Sequence, residues 1–278
     1  MFSQPNKSKP ALKPYGKYLL ITLVICWFSL LILAPVLGMV RELFSAGLKR
    51  FFTEVSTPEA LFSFLLTLKV TLIVIVINTV MGILLAITLV KHQFKGKLLL
   101  EGLIDLPFAV SPVVAGFMIS IMFGPNSWIG SWLENFDIKV VYSIPGITIA
   151  TLFVTLPFVA REVMPVLKQF GIESEETAYI LGANQWQTFW MITLPSIKWG
   201  VLYGFTLTMA RAIGEFGAVL VVSGNIINKT QTATLYIHQE FTDFNFAGAY
   251  AASLLLALIS FIILIVMQSF YKSNEIKL

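Results

Sequence analysis

Residues 176–195 contain the segment Glu176-Thr177-Ala178-Tyr179-Ile180-Leu181-Gly182 and, after it, Ile192-Thr193-Leu194-Pro195. Both belong to a polar segment, residues 165–195, that interrupts a chain made mostly of long apolar runs. Acidic residues cluster near its start, and neither lysine nor arginine occurs between Lys168 and Lys198. A polar segment between membrane-spanning helices projects into water, where a soluble partner can contact it.

The composition is that of an integral membrane protein. Hydrophobic residues make up 57% of the chain and charged residues 12%, whereas soluble domains carry about 25% charged residues. The net charge of +4 comes from basic residues that flank apolar runs, a pattern of membrane topology that does not indicate nucleic-acid binding. The single cysteine, Cys26, allows neither an internal disulfide nor a thiol metal site.

The apolar runs predict an all-α membrane protein with six transmembrane helices. A helix needs about 20 apolar residues to cross the hydrocarbon core, and unpaired backbone groups are too costly there for irregular structure. The runs that are long enough are Tyr18–Val40, Leu61–Val90, Leu103–Phe123, Pro145–Met164, Ser196–Ser223 and Phe246–Tyr271.

The distribution of basic residues predicts that both termini lie in the cytosol. The first apolar run follows Lys7, Lys9, Lys13 and Lys17 and is longer than the roughly 7–15 residues of a signal-peptide core. We therefore predict that the first apolar run is a transmembrane helix and is not cleaved off as a signal peptide. More basic residues fall after the second and fourth runs and at the carboxyl end than on the opposite side, which is the positive-inside pattern.

The start of the polar segment predicts a short helix. Ser174 can cap it, and Glu175 and Glu176 then lie in its first turn, where the helix dipole favours acids. Gly182 can end the helix or bend it.

The rest of the segment predicts a second short helix from Asn184 to Leu194, stopped by Pro195, which can also start the fifth span. An aromatic stripe recurs at helical spacing across the two helices, at Tyr179, Ala183, Trp186 and Trp190. Helices that lie on a lipid surface are usually rich in lysine and arginine, and this segment is not. Docking into a groove of a cytosolic protein is favoured; a surface-lying or internally packed loop is the alternative.

The pattern Glu-x-Ala-x-x-x-Gly, and then Ile-x-Leu-Pro, resembles the cytosolic signature loop of binding-protein-dependent ABC importer permeases. The matching positions are Glu176, Ala178, Gly182, Ile192, Leu194 and Pro195. Thr177 departs from the family's usual second alanine by one small residue for another. The resemblance implies a type I ABC importer permease fold, in which coupling helices between spans four and five dock on an ATP-binding subunit.

The resemblance also implies a domain organisation. Residues 1–17 are expected to form a cytosolic tail, residues 18–60 the first transmembrane helix and an outer loop, and residues 272–278 a second cytosolic tail. Residues 61–271 are expected to form the permease transmembrane domain, with residues 165–195 as its coupling loop. The location implied is the bacterial plasma membrane.

Three further segments narrow the resemblance to the sulfate/thiosulfate permease pair, and within it to the W-type subunit. They are Asp105–Gly116, Phe153–Glu162 and Ala210–Ala218. The partners implied are membrane lipid, a second permease in a heterodimer, a cytosolic ABC ATPase dimer that binds ATP and magnesium, and an extracytoplasmic anion-binding protein. Molybdate permeases share a similar Gly-Glu-Phe-Gly-Ala segment, so a molybdate or tungstate importer is the first alternative.

The sequence lacks the motifs of an enzyme. No Gly-x-x-x-x-Gly-Lys-Ser/Thr phosphate loop occurs, and neither a His-Glu-x-x-His zinc motif nor a nucleophile elbow is present. We therefore expect no catalytic residue, no metal site and no cofactor on this chain, and ATP hydrolysis on another subunit. An ATPase-independent secondary carrier or channel is the second alternative, and it would need coupling-ion sites.

Two groups of residues within the apolar runs are candidates for the translocation pathway or its gate. Arg211 and Glu215 stand four residues apart, so they can share a helix face and pair; ionisable residues at membrane depth are usually functional. Arg211 would face the pathway of an oxyanion and Glu215 would hold it or form a gate. The alternative is an ion pair that only fixes helix packing.

The second group lies in the third run, where Pro107 and Pro112 flank Ser111. Proline frees backbone carbonyls, which membrane proteins tolerate where a cavity or a neighbouring helix satisfies them. Ser111 and Pro112 therefore predict a kink or a re-entrant entry that lines the conduit, or a kink that packing alone requires. In the fifth run Gly200 and Gly204 permit close helix contact.

Overall fold

The computed structural model describes residues 14–275, and all regular structure among them is helical, as the apolar runs predict. Residues 1–13 and 276–278, most of the first predicted tail and part of the second, lie outside the described residues. A π-helical turn at Ser29–Leu33 joins α1 to α2, and another at Phe189–Thr193 joins α10 to α11. The α-helices are α1 Pro14–Phe28, α2 Ala34–Ala46, α3 Leu48–Val55, α4 Pro58–Lys91, α5 Lys97–Ala109, α6 Pro112–Phe123, α7 Trp128–Glu134, α8 Ile144–Phe170, α9 Glu173–Ile180, α10 Gln185–Thr188, α11 Leu194–Ile213, α12 Gly217–Ser223, α13 Ala233–Thr242 and α14 Phe246–Glu275.

Within residues 14–275, 4 helices are long and apolar enough to cross a membrane, and 2 bent helix pairs raise the number to as many as 6. The 4 helices are Gly16–Glu42, Pro58–Lys91, Ile144–Phe170 and Phe246–Met267, and they match the first, second, fourth and sixth predicted runs. α8 continues beyond its predicted end and stops before Gly171, whose φ of +73° suits a glycine.

The third predicted span is not one helix. α5 and α6 meet at an angle of 115°, across Val110 and Ser111, whose backbones are extended. The cause is Pro112, because a proline disfavours the helical conformation of the residue before it. The structure therefore replaces the single run Leu103–Phe123 with a sharply bent pair, as the hypothesis of a kink or re-entrant entry anticipated.

The fifth predicted span, Ser196–Ser223, is also broken. Helical structure runs from Gln185 to Ile213, and α12 leaves it at 54°. The break falls at Gly214–Phe216, where Phe216 has a non-helical backbone. The polar side chain of Glu215 lies inside this break. The hydrophobicity of the run does not reveal the break.

The core is formed by α4, α8 and α11, which pack on one another along the length of α8. Close approach depends on glycines: a Cβ added to Gly82 of α4 would lie 2.6 Å from the Val159 Cβ, and one added to Gly204 of α11 would lie 2.7 Å from the Val159 Cα. A buried polar contact fixes the register of α4 and α8, because the Asn78 side chain donates to Thr155 Oγ1 at 2.7 Å.

The first helix lies outside this core. In its most apolar window, none of the residues is buried, whereas 56% of the corresponding window of α8 is buried. α2 and α3 contact α14, which also packs against α13. The first helix therefore exposes its apolar surface to the surrounding lipid or to another subunit.

The glycine contacts make a prediction about stability. Gly204→Ala places a methyl group against the backbone of Val159, so we expect a loss of about 1–3 kcal/mol, the usual cost of overpacking. The measurement is thermal unfolding of the purified chain in detergent. Gly102→Ala is the control, because no atom lies within 4 Å of a Cβ at that position; equal unfolding temperatures for the two variants would contradict the prediction.

Candidate functional site

The polar segment between α8 and α11 begins with α9, but Ser174 does not cap it. The helix starts at Glu173, and Ile172 occupies the N-cap position without a side-chain bond. The predicted cap is therefore wrong by two positions, since Ser174 already lies within the helix. Its first turn holds Glu173, Glu175 and Glu176, so the predicted placement of acids at the positive end of the helix dipole is correct.

Gly182 ends α9, as the sequence predicts. Its φ is +87°, and its N–H donates to the Tyr179 carbonyl at 3.0 Å, while the Ala183 N–H donates to the Ala178 carbonyl at 2.9 Å. These reverse bonds are of the kind that closes helices on a left-handed glycine.

The second predicted helix begins where expected but does not end at Pro195. Asn184 caps it in a reciprocal capping box with Gln187. α10 continues through the π-helical turn into α11, so that Gln185–Ile213 is one helical segment. Pro195 lies in the first turn of α11, and the widened turn before it accommodates the proline, since local π geometry is a known way to absorb one.

One surface of this segment is exposed and largely apolar. We call it the loop face and define it by Glu176, Ile180, Leu181, Trp186 and Trp190, all of which are exposed. Trp186, for example, retains 72% of its accessible surface. Exposed apolar residues in a polar segment are typical of an interaction site. The exposure of Trp186 and Trp190 shows that these two members of the aromatic stripe are not internal contacts.

The family-signature residues divide between the loop face and its support. Glu176, Gly182 and Pro195 are exposed, Ile192 and Leu194 are partly buried, and Ala178 is buried. Leu194 packs against the cluster formed by α4, α8 and α11. Their roles in coupling stay predictions.

The second group of candidates surrounds the break between α11 and α12. Arg211 Nη1 lies 2.7 Å from Glu215 Oε2; the Glu215 side chain is 1% exposed and that of Arg211 33%. The other carboxylate oxygen of Glu215 accepts the Ala218 N–H at 3.0 Å, so it also satisfies the start of α12. The predicted pair exists, and its buried acid stabilises the broken backbone.

The structure brings the third-span candidates next to this break. A Cβ added to Gly217, the first residue of α12, would lie 3.0 Å from the Cβ of Pro112. α6 packs along α12 from that point, since a Cβ at Gly116 would lie 2.7 Å from the Ala218 carbonyl oxygen. Ser111 is exposed at the same corner. The two interruptions of the helices therefore form one region of the molecule.

Sequence reasoning missed an ion pair between α5 and α8. Arg161 Nε donates to Asp105 Oδ1 at 2.7 Å, and both side chains are partly exposed. Cavities of about 470 and 540 Å³ adjoin the pair. Charged side chains on spanning helices usually face protein or water rather than lipid, so this face is a candidate wall of a conduit. The sequence signal that could have predicted this ion pair is an acidic residue in the third run and a basic residue in the fourth.

The burial of Glu175 is the other feature that the sequence did not reveal. Glu175 is buried, and it binds Lys91 and Thr193.

Across residues 14–275, no group of three or more histidine, cysteine, aspartate or glutamate residues could hold a metal ion.

Comparison with known proteins assigns the family. Residues 78–275 match the family described as "Binding-protein-dependent transport system inner membrane component". The chain belongs to this family. The match spans α4 to α14 and so includes the loop face and both breaks.

Similar proteins of this family include sulfate permeases. The chain is 46% identical to the sulfate transport system permease protein CysW of Synechocystis sp. over 91% of each chain. It is 42% identical to the CysW protein of Escherichia coli K12, over 90% of this chain and 86% of the relative. It is 38% identical to the CysT protein of the same organism, over 82% and 83%.

Solved structures with a similar fold are subunits of ABC transporters. A bacterial alginate ABC transporter in complex with an alginate pentasaccharide-bound periplasmic protein has a chain that matches with a TM-score of 0.77, at 17% identity and over 91% of this chain and 92% of its own. An amino acid ABC transporter matches with a TM-score of 0.52, at 15% identity, over 82% and 98%. The architecture is thus an ABC importer permease fold.

The geometry of Glu215 makes a prediction about the ion pair. Glu215→Leu leaves Arg211 without its counter-charge and α12 without its bond, so we expect a loss of about 3 kcal/mol in unfolding free energy. Combining it with Arg211→Met should restore most of that stability, because an apolar pair of similar volume often replaces a buried ion pair.

Chemical unfolding in detergent measures both variants. The control is Lys229→Met, an exposed lysine for which a change within about 0.5 kcal/mol is expected. If the double variant is no more stable than Glu215→Leu alone, the unpaired charge of Arg211 is not the cause of the loss.

Proposed function

We propose that this chain is a membrane-spanning permease subunit of an ATP-driven importer of sulfate or thiosulfate. It would form half of the translocation pathway and couple that pathway to a cytosolic ATPase. The observation that carries the proposal is 46% identity over 91% of the chain to a protein named as a sulfate permease. Similarity of this extent includes the pathway candidates and the loop face, not only the apolar spans.

The loop face supports coupling to an ATPase. It combines an exposed acid, Glu176, with exposed aromatic and aliphatic residues on a short, capped helical segment. This is the chemistry of a helix that docks into a groove of a soluble protein. The chain has no phosphate loop, so ATP and magnesium would bind to that partner, and this chain would have no catalytic role.

A six-span topology agrees with the broken helices. If each bent pair is one span, 6 spans place both termini on the same side. The basic residues assign that side to the cytosol. α9 and α10 then lie in the cytosol between spans four and five, and α7, with the exposed Trp128, lies outside.

The subunit would work in a heterodimer. Relatives named CysW and CysT both match this chain, which fits two related permeases in one transporter. An extracytoplasmic protein would deliver the anion, as the periplasmic protein in the alginate transporter complex suggests. We place the pathway beside Arg211, which is one-third exposed and carries a positive charge next to the two helix breaks.

Uptake measurements test the substrate and the energy source together. In a deletion strain that expresses this chain with its sister permease, ATPase and binding protein, we expect accumulation of labelled sulfate. An ATPase variant without its phosphate-loop lysine should abolish that accumulation. Uptake of labelled molybdate without sulfate would favour the molybdate importer, and uptake that survives without the ATPase would favour a secondary carrier.

The same assay separates transport from packing at Arg211. The double variant of Arg211 and Glu215, which is expected to keep its stability, should assemble normally and lose uptake. Normal uptake by that variant would leave the ion pair with a packing role only.

Cysteine labelling tests the topology. In a Cys26→Ser background, which removes the only cysteine of the chain, Trp186→Cys and Trp128→Cys each provide one exposed thiol. A membrane-impermeant maleimide should label Trp128→Cys in intact cells and Trp186→Cys only after permeabilisation. Labelling of Trp186→Cys in intact cells would put the loop face outside and contradict the coupling role.

A further inference from the structure

Glu175 is a buried carboxylate in a turn whose other acids are exposed. Only 7% of its side chain is accessible, whereas Glu173 and Glu176 on either side are exposed. Carboxylates are seldom buried unless they are paired, because desolvation of the charge is costly. Its surroundings therefore carry information about the function of α9.

The partners of Glu175 come from two other helical segments. Lys91, in the last turn of α4, donates to its two oxygens at 2.5 and 2.6 Å. Thr193, the last residue of the π-helical turn before α11, donates to Oε1 at 2.5 Å. One carboxylate thus joins α9 to the end of α4 and to the beginning of α11. We call Glu175, Lys91 and Thr193 the junction.

A glycine flanks α9 on each side. Gly171 precedes the helix with a φ of +73°, and Gly182 follows it with a φ of +87°. No atom lies within 4 Å of a Cβ at either glycine, so neither is packed against the bundle. Glycines of this kind can absorb changes of direction. The junction and the buried Ala178 connect α9 to the rest of the structure.

The helices held by the junction lead into the membrane. α4 and α11 both pack on α8 in the core, and α11 ends at the break that contains Glu215. Trp186 and Trp190 belong to helical structure that continues into α11, so their displacement reaches that break directly. A displacement of α9 reaches α4 and α11 through the junction. An ion pair with a third hydrogen bond, out of water, is a stiff connection of that kind.

We propose that Glu175 is a positioning residue that transmits movement of α9, which carries Glu176 and Ile180 of the loop face, to α4 and α11 through its bonds to Lys91 and Thr193. The inference rests on the proposed function, in which the loop face docks on an ATPase. Without the junction, Glu176 and Trp186 still meet the partner, but movement of α9 no longer reaches α4. ATP hydrolysis then continues while less of the movement reaches the membrane helices.

The test uses the complete transporter in proteoliposomes and measures ATP hydrolysis and sulfate uptake in the same vesicles. Glu175→Gln, which keeps the size of the side chain, should retain most ATP hydrolysis while the uptake per ATP falls about tenfold, within the range of changes in coupling energy along such networks. The reciprocal exchange, Glu175→Lys with Lys91→Glu, should restore most of the ratio. A purely structural role would not separate the two activities.

Two variants of the same turn serve as comparisons. Glu173→Gln removes an exposed acid outside the junction and the loop face and should leave the ratio unchanged. Glu176→Lys should reduce ATP hydrolysis and uptake together, because it disturbs docking. The proposal is overturned if Glu175→Gln keeps the uptake per ATP of the unaltered chain. It is also overturned if this variant loses ATP hydrolysis and uptake in parallel, as Glu176→Lys does.

Thr193→Val provides the test if Glu175→Gln does not assemble. It removes one hydrogen bond of the junction and leaves the ion pair, so a smaller fall in uptake per ATP is expected; an unchanged ratio would contradict the proposal. The proposed function itself fails in a different way, namely if vesicles with the unaltered chain show no ATP-dependent sulfate uptake.

Discussion

The architecture depends on one constraint: a backbone N–H or C=O group in hydrocarbon must find a partner within the protein. Continuous helices such as α4 meet this condition by themselves. At the break between α11 and α12 side chains supply partners: Glu215 accepts the Ala218 N–H, and Thr234 donates to the Glu215 carbonyl. The two breaks also pack together, since Gly217 at the start of α12 lies against Pro112 at the start of α6.

The polar side chains of the core are subject to the same requirement for a partner within the protein. Asn78 bonds Thr155 between α4 and α8, Glu215 pairs with Arg211, and Glu175 pairs with Lys91. Each of these contacts lies between elements or across a break, where a wrong register would leave a polar group unsatisfied. Burial makes such errors costly, so the contacts specify the arrangement of helices that are otherwise uniformly apolar. They also distinguish the packed core, whose helices these contacts join, from the loop segment, whose outer surface is exposed.

This division suits a subunit that receives movement from outside the membrane. The loop face exposes its apolar residues on both sides of Gly182, while α11, which carries Arg211, is packed tightly against α8 through Gly204. On the proposed coupling, a displacement of the loop would move whole helices of this bundle, a switching mode that packed structures favour over gradual deformation. Membership of the family and the fold of the solved transporters are in keeping with such a device.

Hydrophobicity and charge alone determined the fold class, the positions of the long helices and the polar segment that bears the signature residues, because the cost of burying polar backbone and charge in lipid depends on composition. Local chemistry also predicted the end of α9 at Gly182 and the pairing of Arg211 with Glu215, which stand one helical turn apart. The prolines likewise predicted a kink in the third run. Only the tertiary structure decided that the fifth run is bent, that the helix passes through Pro195, and that Glu175 is buried. Those outcomes depend on residues far apart in the chain, such as Lys91 with Glu175, Asp105 with Arg161 and Pro112 with Gly217. No local pattern encodes these contacts, because they form only when the helices pack.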